Sequence, residues 1–349
     1  MRALVVTRHG GPAVLEMRRL PDPEPDPDQV KIEVHAAGVS FADILARLGL
    51  YPEGPKPPCV VGYEVAGHVV AVGGGVEGFA VGDRVVSAVR FGGYASAAVA
   101  NARDTMLVPE DWSFEEAAAL PGAYTTAYAA LIGHGHLYPG ERVLIHSAAG
   151  GLGIAAVQIA KAVGAEVFGA ATEWKHPVLR RHGVDHVVGR RGTTVLEEVR
   201  AIAGEPQPID IALDPLGGQS LRDSYALLAS GGRLIVCGSA GYVSGLEASR
   251  RHVLDQLKQY PSFSAARLLA DSKSVIGLNM LALGDRHGGV GRYLTPLRPW
   301  IEAGSLRPVV AARFPLENGA DAHRFVHMRR NIGRVVLTVA LEGAGEPRQ

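Results

Sequence analysis

Cysteine is almost missing from this chain, which has only Cys59 and Cys237, far apart in the sequence. Two thiols supply neither a four-cysteine zinc lobe nor a disulfide framework. Long apolar runs are missing too. No stretch reaches the roughly eighteen consecutive apolar residues of a membrane span, and the opening MRALVVTRHGG has no apolar core of the signal-peptide kind. The expectation is a cytoplasmic protein with no membrane span. Nor does charge of one sign prevail. Lysine plus arginine equals aspartate plus glutamate at 35 each, so no net field draws in nucleic acid or an anionic membrane.

Glycine, by contrast, is abundant: 44 residues, dispersed without a repeat, which implies many turns and not low complexity. Apolar residues make up 47% and charged residues 20%, the balance of a soluble globular protein. At 349 residues the chain is long enough for two or three domains.

The most informative stretch runs from Pro139 to Arg180. Arg142 to His146 is a short apolar run that reads as a buried strand, and Ala148-Ala149-Gly150-Gly151-Leu152-Gly153 follows at once. Ala156, Val157, Ala160 and Val163 then recur at helical spacing up to Gly164, and Val167 to Ala171 is a second strand. Strand, glycine turn, helix and strand are the context in which a dinucleotide fingerprint has meaning. Gly150 lets the backbone approach a pyrophosphate, Gly153 lets helix and strand pack, and the helix N–H groups face the anion. Ala148 replaces the first glycine of the pattern.

Before this stretch the chain reads as β-rich. Ala3–Val6 and Val30–Val34 are strands, and the proline-rich 21–28 is an extended surface loop. Many short strands with glycine turns follow, the pattern of a compact barrel-like domain. From the fingerprint strand onward, strands centred on Leu144, Phe168, Val187, Ile211 and 233–237 alternate with helical patterns, which predicts a parallel, doubly wound sheet. Residues 246–271 read as two helices broken at Pro261, 274–279 as a strand, 293–301 as a weak helix and 335–339 as the last strand. The tail 343–349 is expected to fray.

The stretches AAGVSFADILARLGLYP, VVGYEVAGHVVAVGGGV, GDRV, RFGGYA, FEEAAALP, HSAAGGLG, LDPLGG and RNIGRVVL together resemble the medium-chain dehydrogenase/reductase superfamily. In particular the chain resembles its zinc-independent quinone oxidoreductase branch, which includes zeta-crystallin, and within it the vesicle amine transport protein homologues. The resemblance implies an α/β fold in which a Rossmann doubly wound parallel sheet is inserted into a β-rich GroES-like domain. The expected divisions are 1–120 for the first part of the catalytic domain, 121–280 for the dinucleotide domain and 281–349 for its completion. A homodimer is the family expectation.

Zinc-dependent relatives carry Gly-His-Glu where this chain has Gly62-Tyr63-Glu64, and a cysteine near Ser40-Phe41. A catalytic zinc needs about three ligands, so Glu64 alone builds no site and no metal is expected. His134 and His136, spaced as H-x-H, lack a third partner nearby in sequence and read as surface residues. For the cofactor, Thr172 and Lys175 match the family's NADP(H) pattern, a hydroxyl and an ammonium suited to a 2′-phosphate. Glu173 between them opposes it unless it points outward. The resemblance further assigns cofactor contacts to Thr126, to Ala149 and the residues Gly150 to Gly153, to Gly169, to Gly238-Ser239-Ala240-Gly241, to Leu278 and Asn279, and to Asn331. Arg190 stands where many relatives have a cofactor-contacting tyrosine, and Gly218 either makes a turn or contacts the cofactor. Tyr51 and Ser40 are the candidate catalytic residues. Tyr51 either donates to the acceptor carbonyl or is a buried structural residue, and Ser40 replaces an asparagine with a shorter donor. The expected activity is hydride transfer to a quinone or an α,β-unsaturated carbonyl. The alternatives are an enoyl reductase on thioester-bound intermediates, or a dinucleotide-binding protein with little catalysis acting through a lipid or protein partner.

Overall fold

Strands His186–Val188, Glu166–Ala170, Arg142–Ile145, Ile209–Asp214, Leu228–Val236 and Ser274–Gly277 lie side by side in that order, all parallel. This is a computed structural model, and it describes residues 1–243 and 245–340. Numbered along the chain, the strand order is 3-2-1-4-5-6, the doubly wound dinucleotide-binding arrangement. Val143, Leu144 and Ile145 are all fully buried, an unbroken apolar run and not an alternating one, as in a parallel sheet covered on both faces. Burying each such side chain contributes about 1.5–3 kcal/mol. The helix Gly151–Val163 buries Ile154 to Val157, Ile159 and Ala160, and stops at Gly164, whose φ of 90° is left-handed.

The other sheet has seven strands. Along its main path lie Val310–Pro315, Arg334–Thr338, Gln29–Val39, Glu64–Val72, Arg84–Ala88 and Thr105–Leu107, while Ala97–Asn101 pairs with Gln29–Val39 off that path. The late strand Arg334–Thr338 sits antiparallel to Ala36–Val39, so residues from both ends of the chain build this sheet. Val30, Ile32 and Val34 face the core while Lys31, Glu33 and His35 face outward, the alternation read from sequence. A three-stranded sheet, Leu15–Arg19, Arg2–Val6 and Cys59–Val60, packs beside it.

The expected pair of helices in 246–271 is present as Arg250–Lys258 and Ala265–Asp271. Prolines break 293–301 into three short turns, Gly291–Leu294, Thr295–Leu297 and Arg298–Glu302. Several elements were not anticipated, among them Leu15–Arg19, Cys59–Val60, Met280–His287, Val310–Pro315 and Gly319–His327. Val310–Pro315 ends in proline and carries Arg313, so it reads as loop, yet it forms an edge strand. Helix Gly319–His327 begins at a glycine and buries a histidine, His323. The tail 343–349 lies outside the described residues. No helix among the described residues is long and apolar enough to cross a membrane.

Candidate active site

A cleft of about 1100 Å³ opens at the carboxyl ends of the parallel strands. Its floor comes from the residues just past each strand: His146 and Ser147, Ala171 and Thr172, Pro215 and Leu216, Cys237 and Gly238. That is where open α/β sheets bind ligands, at the point where strand order reverses. The opposite wall belongs to the seven-stranded sheet and its first helix, with Ser40, Tyr51 and Tyr63.

The glycine turn is built for close approach. Gly150 N donates to Ser147 O at 2.9 Å, and Ala148 N donates to Ala170 O at 3.0 Å, which ties the turn to the next strand. A Cβ on Gly153 would strike the backbone of Ser147 and Ala148, so this glycine serves helix–strand packing. A Cβ on Gly151 would strike the stem of Arg334. The helix that follows has no side-chain cap at Gly150, and Gly150 to Gly153 all line the cleft. Uncapped N–H groups and the positive helix end facing a cavity fit a dinucleotide pyrophosphate.

Arg334 was missed in the sequence and is central here. Its guanidinium pairs with the fully buried Glu64, whose other oxygen accepts from Gly122 N at 2.6 Å. Glu64 stands in a position linked to zinc in other proteins, and its carboxylate is committed to an arginine. A bridge between Gly150 and Gly333, with Gly333 N donating to Ala149 O at 2.8 Å, docks the C-terminal motif onto the glycine turn.

Ser40 caps the helix Phe41–Leu48. Its Oγ accepts from Asp43 N at 3.2 Å, and Asp43 Oδ2 accepts from Ser40 N at 2.7 Å. The cap fixes Ser40 at the cleft wall. Behind it, Asp43 is fully buried and also accepts from Gly62 N at 2.9 Å and Tyr94 Oη at 3.1 Å. Burial pushes its carboxyl up to about 6, against the pull of these donors and of Arg334. The chain of donors continues inward. Arg47 Nε donates to His323 Nδ1 at 3.1 Å, which leaves His323 Nε2 to donate to Tyr94 Oη at 3.1 Å. Nothing local in sequence reveals this relay, because its members are contributed by four separate segments.

Tyr51 lines the cleft, and its ring meets Tyr63 edge-on with centroids 6.4 Å apart. Burial, with Glu53 and Asp43 nearby, pushes its hydroxyl up to about 12, so it keeps its proton as a donor. Tyr63 packs against Phe91 at 5.0 Å.

Of the expected cofactor residues, Thr126, Ala149, the residues from Gly150 to Gly153, Thr172, Lys175, Gly238 to Ala240, Leu278, Asn279 and Asn331 are on the cleft wall. Four are not. Gly169 faces Val184 and Ala148, where only a missing side chain fits. Arg190 turns its Nε to Glu198 at 3.1 Å. Gly218, at φ 64°, stands at the start of a helix and faces Gln256. Gly241 packs against the Leu216 carbonyl and Gln256. Lys175 is buried at 7% exposure and donates to the carbonyls of Arg329 at 2.7 Å and Asn331 at 2.8 Å. Glu173 is exposed and off the wall. Asn279 spans the cleft, its Nδ2 donating to Glu53 at 2.9 Å. The stretch 246–271 reaches the cleft through Tyr260. His134 Nε2 sits 3.4 Å from Tyr293 Oη.

Residues 26–131 match the alcohol dehydrogenase GroES-like domain, and residues 182–337 match the zinc-binding dehydrogenase domain. The chain is 38% identical over 339 residues to the synaptic vesicle membrane protein VAT-1 homolog of Danio rerio, covering 97% of this chain and 70% of that protein. It is 34% identical to the quinone oxidoreductase of Pongo abelii, over 97% of each. A mycobacterial protein solved in complex with NADPH superposes with a TM-score of 0.82 at 31% identity, over 97% of this chain and 99% of that one. The CurK enoyl reductase does so with a TM-score of 0.82 at 27% identity, again over 97% and 99%. With both sheets, the glycine turn and the cleft at the strand ends in their expected relation, the chain is an oxidoreductase-type member of the medium-chain dehydrogenase/reductase superfamily, close to the VAT-1 homologues and the quinone oxidoreductases.

Proposed function

We propose that this chain is a zinc-independent, NADPH-dependent reductase of quinones or α,β-unsaturated carbonyls. The observation that carries this reading is the two-ended cleft. One end has an uncapped helix N-terminus with Thr172 and Lys175 beside it, and the other has the hydroxyls of Ser40 and Tyr51. Glu173 pointing away from the wall removes the carboxylate that would repel a 2′-phosphate. Lys175 spends two of its three N–H donors on backbone carbonyls, which leaves one for a phosphate oxygen.

NADPH, when bound, supplies the hydride. The residues of the chain do the rest. Gly150 to Gly153 hold the pyrophosphate on backbone N–H groups. Thr126 donates its hydroxyl to Gly122 O at 2.6 Å, so its oxygen faces the cleft as an acceptor for an amide. Ser40 accepts through Oγ from its own helix and keeps its O–H to donate. Ser40 and Tyr51 together stabilise negative charge developing on the acceptor oxygen, and Tyr51 holds its proton at Oη across the physiological range. Glu64, held by Arg334 and Gly122, has no oxygen to spare for a metal. A homodimer is part of the same proposal and is checked by light scattering on the full chain.

Similarity to an enoyl reductase and the size of the cleft favour a second reading, reduction of enoyl thioesters. Following NADPH oxidation with quinones, simple enones and enoyl thioesters separates the two. Turnover of none of them overturns both and favours a dinucleotide-binding protein with little catalysis. Tyr51→Phe is expected to lower turnover more than it weakens NADPH binding. Unchanged rates with every accepted substrate would leave Tyr51 a structural residue.

A further inference from the structure

Outside the cleft, the seven-stranded sheet brings together three side chains that the sequence keeps apart. Strands Gln29–Val39 and Glu64–Val72 run antiparallel with Glu33 opposite His68. Register slips between Val34 and Ala36, so His35 is the extra residue of a β-bulge, a device that re-aims a side chain. Gly67 makes the crowding possible, since a Cβ there would collide with the Glu33 carbonyl. His35 Nε2 ends 3.1 Å from His68 Nδ1 and 3.8 Å from Glu33 Oε2. The donor atoms of all three lie within 4.8 Å of one another, the only such group of three or more His, Cys, Asp or Glu among the described residues.

Donors bound at about 2.0–2.1 Å around a tetrahedral ion stand about 3.3–3.4 Å apart, a spacing that these separations bracket. Phe114 packs on both imidazoles, with centroids 4.5 Å and 5.0 Å away, and forms a wall behind them. Glu33, 45% exposed, leaves the opposite side open to a water as fourth ligand. Arg84 lies opposite His68 on the next strand but turns its guanidinium to the carbonyls of Pro109, Glu110 and Trp112 and over Phe114. Two imidazoles and one carboxylate suit zinc, nickel, cobalt and copper, and suit magnesium or calcium poorly.

We propose that Glu33, His35 and His68 bind one divalent transition-metal ion on the outer face of the antiparallel sheet. The site is independent of the cleft, none of whose lining residues it shares. Bound there, the ion cross-links the two central strands, one of which leads to Ser40 and the other of which starts at Glu64. An ion here would overturn the expectation of no metal in the chain, which was argued from Gly62-Tyr63-Glu64 and from His134 and His136 and did not consider this face.

The test uses the full chain without a histidine tag, stripped by chelator, then titrated with Zn²⁺ by calorimetry and with Co²⁺ by visible absorption. One ion per chain is expected, with the strong visible bands of low-coordinate cobalt and a rise in melting temperature on adding Zn²⁺. Loss of an outer-shell partner alone weakens metal affinity about 10–100-fold, so His35→Ala and His68→Ala should each cost at least about tenfold. No binding by the wild type, or equal binding by the folded double variant, overturns the proposal. If that variant does not fold, Glu33→Gln decides instead: affinity equal to wild type overturns it, and a tenfold loss supports it.

Discussion

Lys175 serves two masters at the residue scale. Its ammonium holds the carbonyls of Arg329 and Asn331, and it borders the cleft where a 2′-phosphate would lie. A charge-assisted contact contributes about 1.5–3 kcal/mol, or roughly ten- to hundredfold in affinity. Lys175→Ala should therefore weaken NADPH by about that factor and NADH much less, read by titrating both cofactors. Equal loss for both would mean that the lysine only holds the C-terminal loop. Sequence spacing finds such a residue because it sits a fixed distance from the glycine turn. What spacing does not see is a partner more than 150 positions away, as Arg329 and Asn331 are.

Among the elements, the helix Gly151–Val163 and the strand Arg334–Thr338 meet at the Arg334 guanidinium. It passes under Gly151 and pairs with Glu64 of the antiparallel sheet. Removing one member of a buried pair leaves an uncompensated charge, at a cost of about 3–5 kcal/mol. Arg334→Met should destabilise by about that much in urea unfolding. The double variant Glu64→Gln, Arg334→Met should recover most of it. If the double variant is no better than the single, the pair is not what stabilises this junction. The parallel strands were legible because buried runs such as Arg142–Ile145 and the glycine turn are local signals. Val310–Pro315 was not, because an edge strand ending in proline gains its place from a neighbour and not from its own pattern. His35 escaped notice for a related reason: a bulge is a property of two paired strands, and one strand's alternation does not display it.

For the molecule as a whole, the buried relay behind Ser40 makes stability depend on acid. Arg47 of that relay also sets a guanidinium nitrogen 2.7 Å from His327 Nε2, and burial first, then the Arg47 charge, pulls His327 down to about 4 from an ordinary 6.5. His327 is thus neutral in the fold while the unfolded chain takes up a proton. This contribution is fully present above 6.5 and is lost as pH falls toward 4. His323 has the same sign, whereas Asp43, held up at about 6, is protonated earlier in the fold and opposes them. His327→Gln should flatten the loss of stability between pH 6.5 and 4, measured as urea midpoints across that range. A slope unchanged by the substitution rules His327 out as a source of acid sensitivity.

The pairing of Arg334–Thr338 with Ala36–Val39 also has a consequence for the order in which the protein is made. At about 5–20 residues per second, a ribosome takes on the order of tens of seconds between releasing the early strand and its late neighbour. During that time Glu64 has no arginine, and the edge of Ala36–Val39 that will receive Arg334–Thr338 has no partner, although Ala97–Asn101 already covers Gln29–Glu33 on the same edge. The parallel sheet from Arg142 to Gly277 can assemble within that interval from its own contiguous residues. The nascent chain would then hold a finished dinucleotide half and an open flank beside it, and the final strand would shut that flank and the cleft in one event.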